Sequence, residues 1–345
     1  MAIAPSDAEM PPTDLREVIR DLIAIEDQEA ASRRLLQKLA SFSSGAVDII
    51  EIGQTELRLQ KADGTWHQFR IHPQGMEVDR KTGLLYITAV EIIEQRDKAR
   101  RYCGRGRAHL FECDTEGKTV RAVTLTSDNE DEYHPSGMVL IDGTMFIALA
   151  QYLPETSATI IKFNVRDWSY EKLFCIQDHV GLVVPNPLEG ELLLGTWGSR
   201  HYYRTDLKGN IKSKHTNPCC DGMEHQDAQL ISGGLGTVKN IRPSRTRPES
   251  IEPEGSMMLA TGVTAGGMEF FGLEIIDVAR WTIMKSLRWP STKHITKGGW
   301  APFANPTFLW VDSYDRVLAL GAPDDVHEQM GKHATLLLYT LKRRE

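Results

Sequence analysis

Two hydrophobic patterns divide the chain into a short helical part and a long strand-rich part. Between residues 14 and 41, apolar side chains recur at the three- and four-residue intervals of a helix that buries one face. They are Leu15, Val18, Ile19, Leu22 and Ile23, and further on Leu35, Leu36 and Leu39. Thr13 and Asp14 are both suited to cap such a helix. The pattern predicts a helix packed on the body of the protein, with a lid or a dimer contact as the alternative role.

From Val47 onward the pattern changes to alternating or short apolar runs, separated by Gly, Asp-Gly and Asn. Runs of this kind are typical of β-strands. Examples are LLYITAV, AHLFECD, MFIALA, ELLLGTW and TLLLYTL. Because they follow one another with almost no helical pattern between them, a parallel α/β fold is excluded. A sandwich, a barrel or a propeller remains.

One sequence unit returns along the strand-rich part. It consists of a His or Asn, a short apolar run, a turn and a second apolar run. The clearest copies are RIHPQGMEVDRKTGLLYITAVE and DEYHPSGMVLIDGTMFIALAQY. The intervals are 62, 45, 46 and 80 residues, counted between His72, His134, His179, His225 and Asn305. Recurrence on this scale, with about four strands in each unit, is the signature of a β-propeller.

The sequence therefore predicts an all-β protein, a five- or six-bladed β-propeller with an N-terminal helical extension. The expected division is a disordered tail at 1–12, the helical extension at 13–45 and the propeller at 46–345. A sixth blade can be assembled from VDIIEIGQTELRLQ, TWHQFRI and the C-terminal strand. Such pairing of N- and C-terminal strands removes free sheet edges. The Pro- and Arg-rich stretch at 232–255 is expected to be a long loop.

Propeller geometry places the repeated histidines together. The loop that enters the first strand of a blade opens on the same face as the loop that leaves the second. We therefore expect a ring of histidines around one mouth of the central channel, formed by His72, His134, His179 and His225. A second ring should follow the second strands, formed by Glu91, Gln151, Tyr152, Trp197, Ser199, Arg200, Thr261, Thr264, Asp324 and Asp325.

Structural alternatives stand beside this functional interpretation. His-Pro-X-Gly also fits a turn, in which Pro fixes φ, Gly takes a positive φ and the imidazole bonds nearby backbone. Arg200 is suited to hold a pair of ligand oxygens through two parallel hydrogen bonds. Its structural alternative is a salt bridge to Glu91 or Asp178. Trp197 offers a flat wall for an unsaturated ligand.

Composition narrows the partners and the compartment. The net charge is −7 and no basic stripe is present, so nucleic acid and anionic membranes are not favoured. No apolar run is long enough for a membrane helix, and the N-terminus does not resemble a signal peptide. The five cysteines show no CxxC spacing, which favours free thiols and a cytoplasmic location. No GxSxG or HExxH motif occurs, and a metal held by converging His and acidic residues is a weakly indicated alternative.

The stretches HPQGMEVD, YHPSGMVLIDG, DHVGLVV and WGSRHYY resemble an uncharacterised propeller family. That family is distantly similar to the strictosidine-synthase and gluconolactonase propellers, and the resemblance spans roughly residues 65–340. The family's usual Glu in an AEY motif is Gln151 here, so an amide replaces a proton donor or metal ligand. With its added N-terminal helix, the chain also resembles the fungal hetero-Diels–Alderases of tropolonic sesquiterpene biosynthesis.

The second resemblance implies a pericyclase that needs no cofactor. Such an enzyme removes water from a hydroxymethyl tropolone and adds the resulting o-quinone methide to a humulene-type alkene in a [4+2] cycloaddition. Its partners would be small polyketide and terpene molecules, without nucleic acid or membrane insertion, and a homodimer is left open. The catalytic residues would be His72, His134, His179 and Arg200. The substrate-binding residues would be Glu91, Gln151, Tyr152, Trp197, Ser199, His225, Thr261, Trp300 and Phe303.

Two other functions fit the same fold. One is a metal-dependent lactonase or related hydrolase, in which His and acidic side chains hold one divalent ion. The other is a non-catalytic propeller that binds a protein partner. Fold alone does not choose among the three, because propellers host all of them.

Overall fold

The computed structural model of the protein describes most of the 345-residue chain. The described ranges are 12–42, 47–60, 64–67, 71–187, 189–219, 222–231, 256–264, 269–296, 299–323 and 334–341. Three predictions therefore lie outside the described residues: the tail up to residue 11, the loop at 232–255, and the positions Asp324 and Asp325.

The described ranges form α-helices at the N-terminus and strands in the remainder, with short 3-10 helices at Trp197–Ser199 and Ser291–Lys293. The first elements are α1 (Leu15–Ile23), α2 (Gln28–Ser41), β1 (Val47–Thr55), β2 (Leu59–Gln60) and β3 (Trp66–His67). The first blade comprises β4 (Ile71–Asp79), β5 (Leu84–Glu94), β6 (Arg105–Cys113) and β7 (Thr119–Thr124). The second comprises β8 (His134–Pro135), β9 (Val139–Ile141), β10 (Thr144–Ala150), β11 (Ala158–Asn164) and β12 (Ser169–Ile176).

The remaining three blades follow the same order from the channel outward. The third comprises β13 (Val180–Asn186), β14 (Glu191–Thr196), β15 (His201–Asp206) and β16 (Ile211–Thr216). The fourth comprises β17 (Met223–Ile231), β18 (Met257–Thr264), β19 (Phe270–Asp277) and β20 (Thr282–Pro290). The fifth comprises β21 (Thr307–Val311), β22 (Val317–Gly321), β23 (Ala334–Leu341) and, as its outer strand, β1.

The outer strand of the fifth blade closes the ring. β1 runs antiparallel to β23, with Val47 opposite Leu341 and Thr55 opposite Ala334. The predicted pairing of N- and C-terminal strands therefore completes the fifth blade and builds no sixth. The next stretch, also assigned to a sixth blade, contributes the short hairpin of β2 and β3. The predicted fold class is confirmed as a five-bladed β-propeller with an N-terminal helical segment.

The His-Pro-X-Gly segment of the first blade lies within its inner strand. It belongs to β4, where a bulge between Pro73 and Gly75 shifts the register with β5. Gly75 does not take a positive φ. A Cβ at Gly75 would lie 2.7 Å from Oγ1 of Thr88 and 3.0 Å from the backbone nitrogen of Met138. The expected positive-φ turn was therefore wrong for this segment, and glycine is needed because neighbouring inner strands approach closely.

The hydrophobic core is divided among the five interfaces between neighbouring blades. Between the first two blades, for example, Leu110 packs with Ile147 and Ile161. Between the third and fourth, Leu182 and Leu193 meet Met258 and other side chains of the fourth blade. Each sheet therefore buries both faces against its neighbours, and the ring is stable only when every interface is filled.

The predicted helix is two helices in the structure. Asp14 caps α1 by accepting from the backbone of Glu17 at 2.9 Å, and Asp27 caps α2 by accepting from Ala30 at 2.8 Å. The backbone of Asp27 is extended, which ends the helical path between them. As expected, both helices pack on the propeller: α1 joins the core between the first and fifth blades, and α2 joins the core between the fourth and fifth.

Neither of these helices is long and apolar enough to cross a membrane, and the same holds for every helix in the described ranges.

The packing of α2 predicts that a substitution on its buried face strongly lowers the free energy of unfolding. Replacing the fully buried Leu36 with Ala removes apolar contacts and leaves a cavity, and we expect a loss of about 2–5 kcal/mol in the free energy of unfolding. Urea denaturation followed by circular dichroism measures this change. The matched control is Gln37→Ala on the exposed face, with an expected change within about 0.5 kcal/mol. Equal effects of the two substitutions would contradict the packing of α2 on the propeller.

Candidate functional site

Three of the repeated histidines meet at the beginning of the inner strands. His72 lies in β4, His134 in β8, and His179 immediately before β13. The His134 ring is central, because its centroid lies 6.5 Å from that of His72 and 5.5 Å from that of His179. We call this end of the channel, defined by His72, His134 and His179, the histidine mouth.

Aromatic side chains surround these imidazoles. The Tyr152 ring stacks on His134 with a centroid distance of 4.2 Å and an interplanar angle of 17°. The Trp197 ring packs edge-on against His179 at 4.7 Å and lies 5.6 Å from Tyr152. The Trp300 ring lies 5.8 Å from His72. The structure thus brings these three predicted substrate-binding residues together with the histidines.

The sequence interpretation missed Arg96, which contributes a positive charge at the histidine mouth. Its guanidinium carbon lies 3.9 Å from the Tyr152 ring centroid and 4.6 Å from that of Trp197, which are cation–π distances. Among the residues that the structure describes, its buried Nη1 atom has no hydrogen-bond partner. Arg96 was not singled out because it lies in the charged run EQRDKARRY, which is typical of a solvated loop.

The loop between β5 and β6 holds Arg96 in this position. Asp97 and Tyr102 exchange two backbone hydrogen bonds of 2.9 Å across the loop. The Tyr133 hydroxyl donates to the carbonyl oxygen of Cys103 at 2.5 Å. A loop of the first blade is therefore fixed over side chains of the second and third blades.

Burial keeps the central imidazoles neutral. His134 is 5% exposed, and within the described ranges neither of its ring nitrogens has a hydrogen-bond partner. Burial, followed by the nearby His179 and His72 rings, lowers the pKa of His134 well below its usual value. Both nitrogens therefore remain available to a ligand as one donor and one acceptor.

His179 is arranged as a proton acceptor. Burial lowers its pKa to about 4, so the ring is uncharged at neutral pH. Its Nδ1 atom lies 2.6 Å from the carbonyl oxygen of Gln151. Because a carbonyl only accepts, Nδ1 carries the hydrogen and Nε2 has the lone pair. The backbone of Gln151, rather than its side chain, thus sets the tautomer of His179, while the amide of Gln151 donates to Ser157 at 3.2 Å.

Glu224 is a second residue that the sequence interpretation missed. It is half-buried on β17, and a Cβ built on Gly198, beside Trp197, would lie 3.9 Å from its Cδ atom. Burial raises the pKa of Glu224, against the lowering effect of the Lys98 charge. A carboxyl with a raised pKa can act as a proton donor.

The fourth repeated histidine, His225, is bonded to side chains of the third and fourth blades. Its ring bonds the Tyr202 hydroxyl of the third blade and, at 2.9 Å, the Glu274 carboxylate of the fourth. Arg288 donates to the same carboxylate at 2.6 Å. The hydroxyl of Ser199 accepts from the backbone nitrogen of His225 at 2.8 Å and donates to its carbonyl oxygen at 3.2 Å. These two predicted site residues therefore join the third blade to the fourth.

Arg200 forms ion pairs with two carboxylates. Its guanidinium donates to Asp178 at 3.0 Å and to Glu155 at 2.9 Å. Asp178 also accepts from the backbone nitrogen of His179 at 2.9 Å. The geometry matches the structural alternative of a salt bridge to Asp178, and it links Arg200 to the position of His179.

The remaining predicted site residues lie in other surroundings. Glu91 accepts from Arg107 at 3.0 Å beside the buried His109. The hydroxyl of Thr261 donates to the carbonyl oxygen of Asp227 at 3.4 Å. Phe303 is 1% exposed and packs in the core between the fourth and fifth blades. The hydroxyl of Thr264 accepts a hydrogen bond from the backbone nitrogen of Phe270 at 3.1 Å.

In the described part of the chain, no three His, Cys, Asp or Glu side chains are grouped so that they could hold a metal ion.

The chain belongs to DUF6454, a family of unknown function, whose family model matches residues 36–224. A search of curated proteins found no match. Among solved structures, the chain is similar to a streptogramin B lyase, with 12% identity, 82% of this chain and 71% of that chain covered, and a TM-score of 0.33. It is also similar to a luciferin-regenerating enzyme, with 7% identity and a TM-score of 0.43. That match covers 87% of this chain and 100% of the other. Likenesses this distant carry no argument about the activity of the chain.

The lowered pKa of His179 predicts a loss of stability in mild acid. Between about pH 6.5 and 4, the unfolded chain binds a proton at this residue that the folded chain does not, so the free energy of unfolding falls as the pH is lowered. The expected contribution is on the order of 3 kcal/mol. Urea denaturation at pH 7 and pH 4.5 should show a smaller difference for His179→Gln than for the wild type. An unchanged difference would assign the pH dependence to other groups.

The ion pairs of Arg200 predict a stability effect for Arg200→Gln. The buried Asp178 carboxylate loses a charged donor, and the free energy of unfolding should fall by about 1–2 kcal/mol, because Arg200 is partly exposed to solvent. The control is Arg100→Gln, which removes a highly exposed pair with Asp97 and should change little. Unchanged stability together with weaker ligand binding would instead support the predicted catalytic role of Arg200.

Proposed function

We propose that the chain is an enzyme that binds a planar, oxygen-bearing small molecule at the histidine mouth and removes water from it without a cofactor. The observation that carries this proposal is the set of polar nitrogens between aromatic rings. Nη1 of Arg96 and both ring nitrogens of His134 are buried there and have no partner within the described ranges. Buried polar groups are normally hydrogen-bonded, so this arrangement suits a ligand that brings its own oxygens.

The aromatic side chains define the shape of the ligand. Tyr152, Trp197 and Trp300 lie within 4.2–5.8 Å, between ring centroids, of a neighbouring imidazole. Flat unsaturated molecules stack favourably on such rings and exclude water from them. A guanidinium over two of the rings stabilises negative charge that develops on a ligand oxygen.

The chemistry is an elimination with one base and one acid. Nε2 of His179 accepts the proton of an acidic ring hydroxyl, since Nδ1 of the same ring is held by the Gln151 carbonyl. The electron pair of that O–H bond forms a carbonyl, and the rearranging double bonds expel a hydroxyl from the adjacent hydroxymethyl carbon. The Glu224 carboxyl supplies the proton that makes this leaving group water. Proton exchange with solvent then restores both residues.

The substrate proposal follows the resemblance to the tropolonic sesquiterpene enzymes. Loss of water from a hydroxymethyl tropolone gives an o-quinone methide, which adds to a humulene-type alkene in a [4+2] cycloaddition. The second step forms two bonds without a proton or a redox change, so the protein contributes orientation and exclusion of water. Arg96, in place of the predicted Arg200, is the proposed partner of the tropolone oxygens.

Incubation with a hydroxymethyl tropolone and humulene tests the function. Mass spectrometry should detect an adduct whose mass equals the sum of both reactants minus one water. Arg96→Gln should lower kcat/KM by about ten- to a hundred-fold because it removes charged hydrogen bonds to the ligand, whereas the loss of its contacts with the Tyr152 and Trp197 rings should lower the free energy of unfolding by only about 0.5–2 kcal/mol.

The matched control is Arg100→Gln on the same loop, which should retain wild-type turnover. Adduct formation at the same rate without protein, or in Arg96→Gln, would contradict the proposal. Hydrolysis of a lactone that stops on chelation of divalent ions would replace it with the lactonase function.

A further inference from the structure

A cavity of about 540 Å³ lies at the end of the channel opposite the histidine mouth. It is lined at the ends of inner strands by residues such as Asp79, Ile141 and Ile231, whereas the histidines lie at the strand beginnings. Ala31, Ser32 and Leu35 of α2 line another side. The volume is in the range of sites that hold small organic molecules.

The cavity contains a cation that the protein does not pair by hydrogen bonding. The half-buried guanidinium of Arg80 lies 5.3 Å over the ring of Phe308, and both residues line the cavity. In the described ranges, the Arg80 side chain makes no hydrogen bond to another protein group. A guanidinium removed from water is costly unless hydrogen-bonded oxygens surround it.

The acidic residue that interacts electrostatically with Arg80 is Glu77, and it does not supply the oxygen partner that the guanidinium needs. Glu77 is 7% exposed, and burial, followed by the nearby Asp227 carboxyl, raises its pKa well above the usual value, against the lowering effect of the Arg80 charge. Within the described ranges, no hydrogen bond or ion pair joins Glu77 to Arg80, so the guanidinium has no oxygen partner from this side chain. Two further basic side chains of the lining are already paired, since Lys81 contacts Asp142 at 3.4 Å and Arg121 contacts Glu112 at 2.8 Å.

Apolar side chains complete the lining. Leu35 of α2, Leu140 and Leu230 of two inner strands, and Phe308 face the same space. A ligand that fits has one oxyanion for Arg80 and a hydrocarbon part for the apolar lining. We infer that the cavity beneath α2 binds a small organic monocarboxylate, with its carboxylate on Arg80 and its hydrocarbon part against Leu35, Leu230 and Phe308.

Isothermal titration calorimetry of the full chain with octanoate at pH 7 tests this site. We expect saturable binding of octanoate and clearly weaker binding of octan-1-ol, which has the same hydrocarbon chain without the charge. Arg80→Gln should weaken octanoate binding about tenfold or more. Arg100→Gln, at an exposed loop position, should bind octanoate as the wild type does.

A second pair of variants keeps the test decisive if Arg80→Gln does not fold. Leu230→Trp fills the cavity without changing charge and should abolish octanoate binding. His134→Ala alters the histidine mouth and should leave octanoate binding unchanged, so failure of this site is distinguishable from failure of the proposed function. Absence of saturable binding at millimolar octanoate, wild-type binding in Arg80→Gln or Leu230→Trp, or loss of binding in His134→Ala would overturn the inference.

Discussion

Burial between blades is the constraint on which the rest of the structure depends. A single four-stranded sheet of this chain is apolar on both faces and has no second layer of its own. Side chains such as Leu110, Leu193 and Leu273 lose their exposure only when the neighbouring blade is in place. The apolar core between neighbouring blades therefore fixes their relative orientation, and with it the positions at which all inner strands begin. The meeting of His72, His134 and His179 is a consequence of this packing.

The histidine mouth is a shared product of several blades. The second and third blades supply Tyr152 and Trp197, and a loop of the first supplies Arg96. The interface between the third and fourth blades supplies the polar network of His225, Tyr202 and Glu274, which holds the Ser199 turn beside Trp197. Residues with a structural role and residues of the site thus lie in the same short segments. His179 of the third blade belongs to the histidine mouth, whereas His225, its counterpart in the fourth blade, is hydrogen-bonded to Tyr202 and Glu274.

Much of the fold was predictable from sequence because it depends on repetition. The returning unit gave the propeller and the common register of His72, His134 and His179. Asp27 in the middle of the predicted helix was not recognised as a cap, because its effect depends on the backbone conformation that tertiary packing selects. His225 has the register of the other histidines, yet its ring is bonded by Tyr202 of the third blade and by the buried Glu274 of its own blade.

The residues missed at the site have a common physical cause. Arg96 is separated from Tyr152 and Trp197 by long stretches of sequence, and its loop has the composition of a solvated segment. Only the three-dimensional path of the loop brings its guanidinium over their rings. Conversely, Arg200 was an obvious candidate for binding a ligand because it lies in a polar and aromatic stretch. In the structure its guanidinium forms ion pairs with Asp178 and Glu155. Contacts between distant segments are not encoded in any local pattern.

The strand that closes the ring also sets an order of events during synthesis. Among the strands that the structure describes, β1 is translated first and its partner β23 last, with Val47 finally opposite Leu341. At ordinary elongation rates, roughly 15–60 s pass between their appearance. Throughout that interval β1 waits for β23, and a strand from another chain could pair with its backbone groups instead. The nascent chain is therefore most exposed to misassociation at the moment when four of its blades already resemble the finished protein.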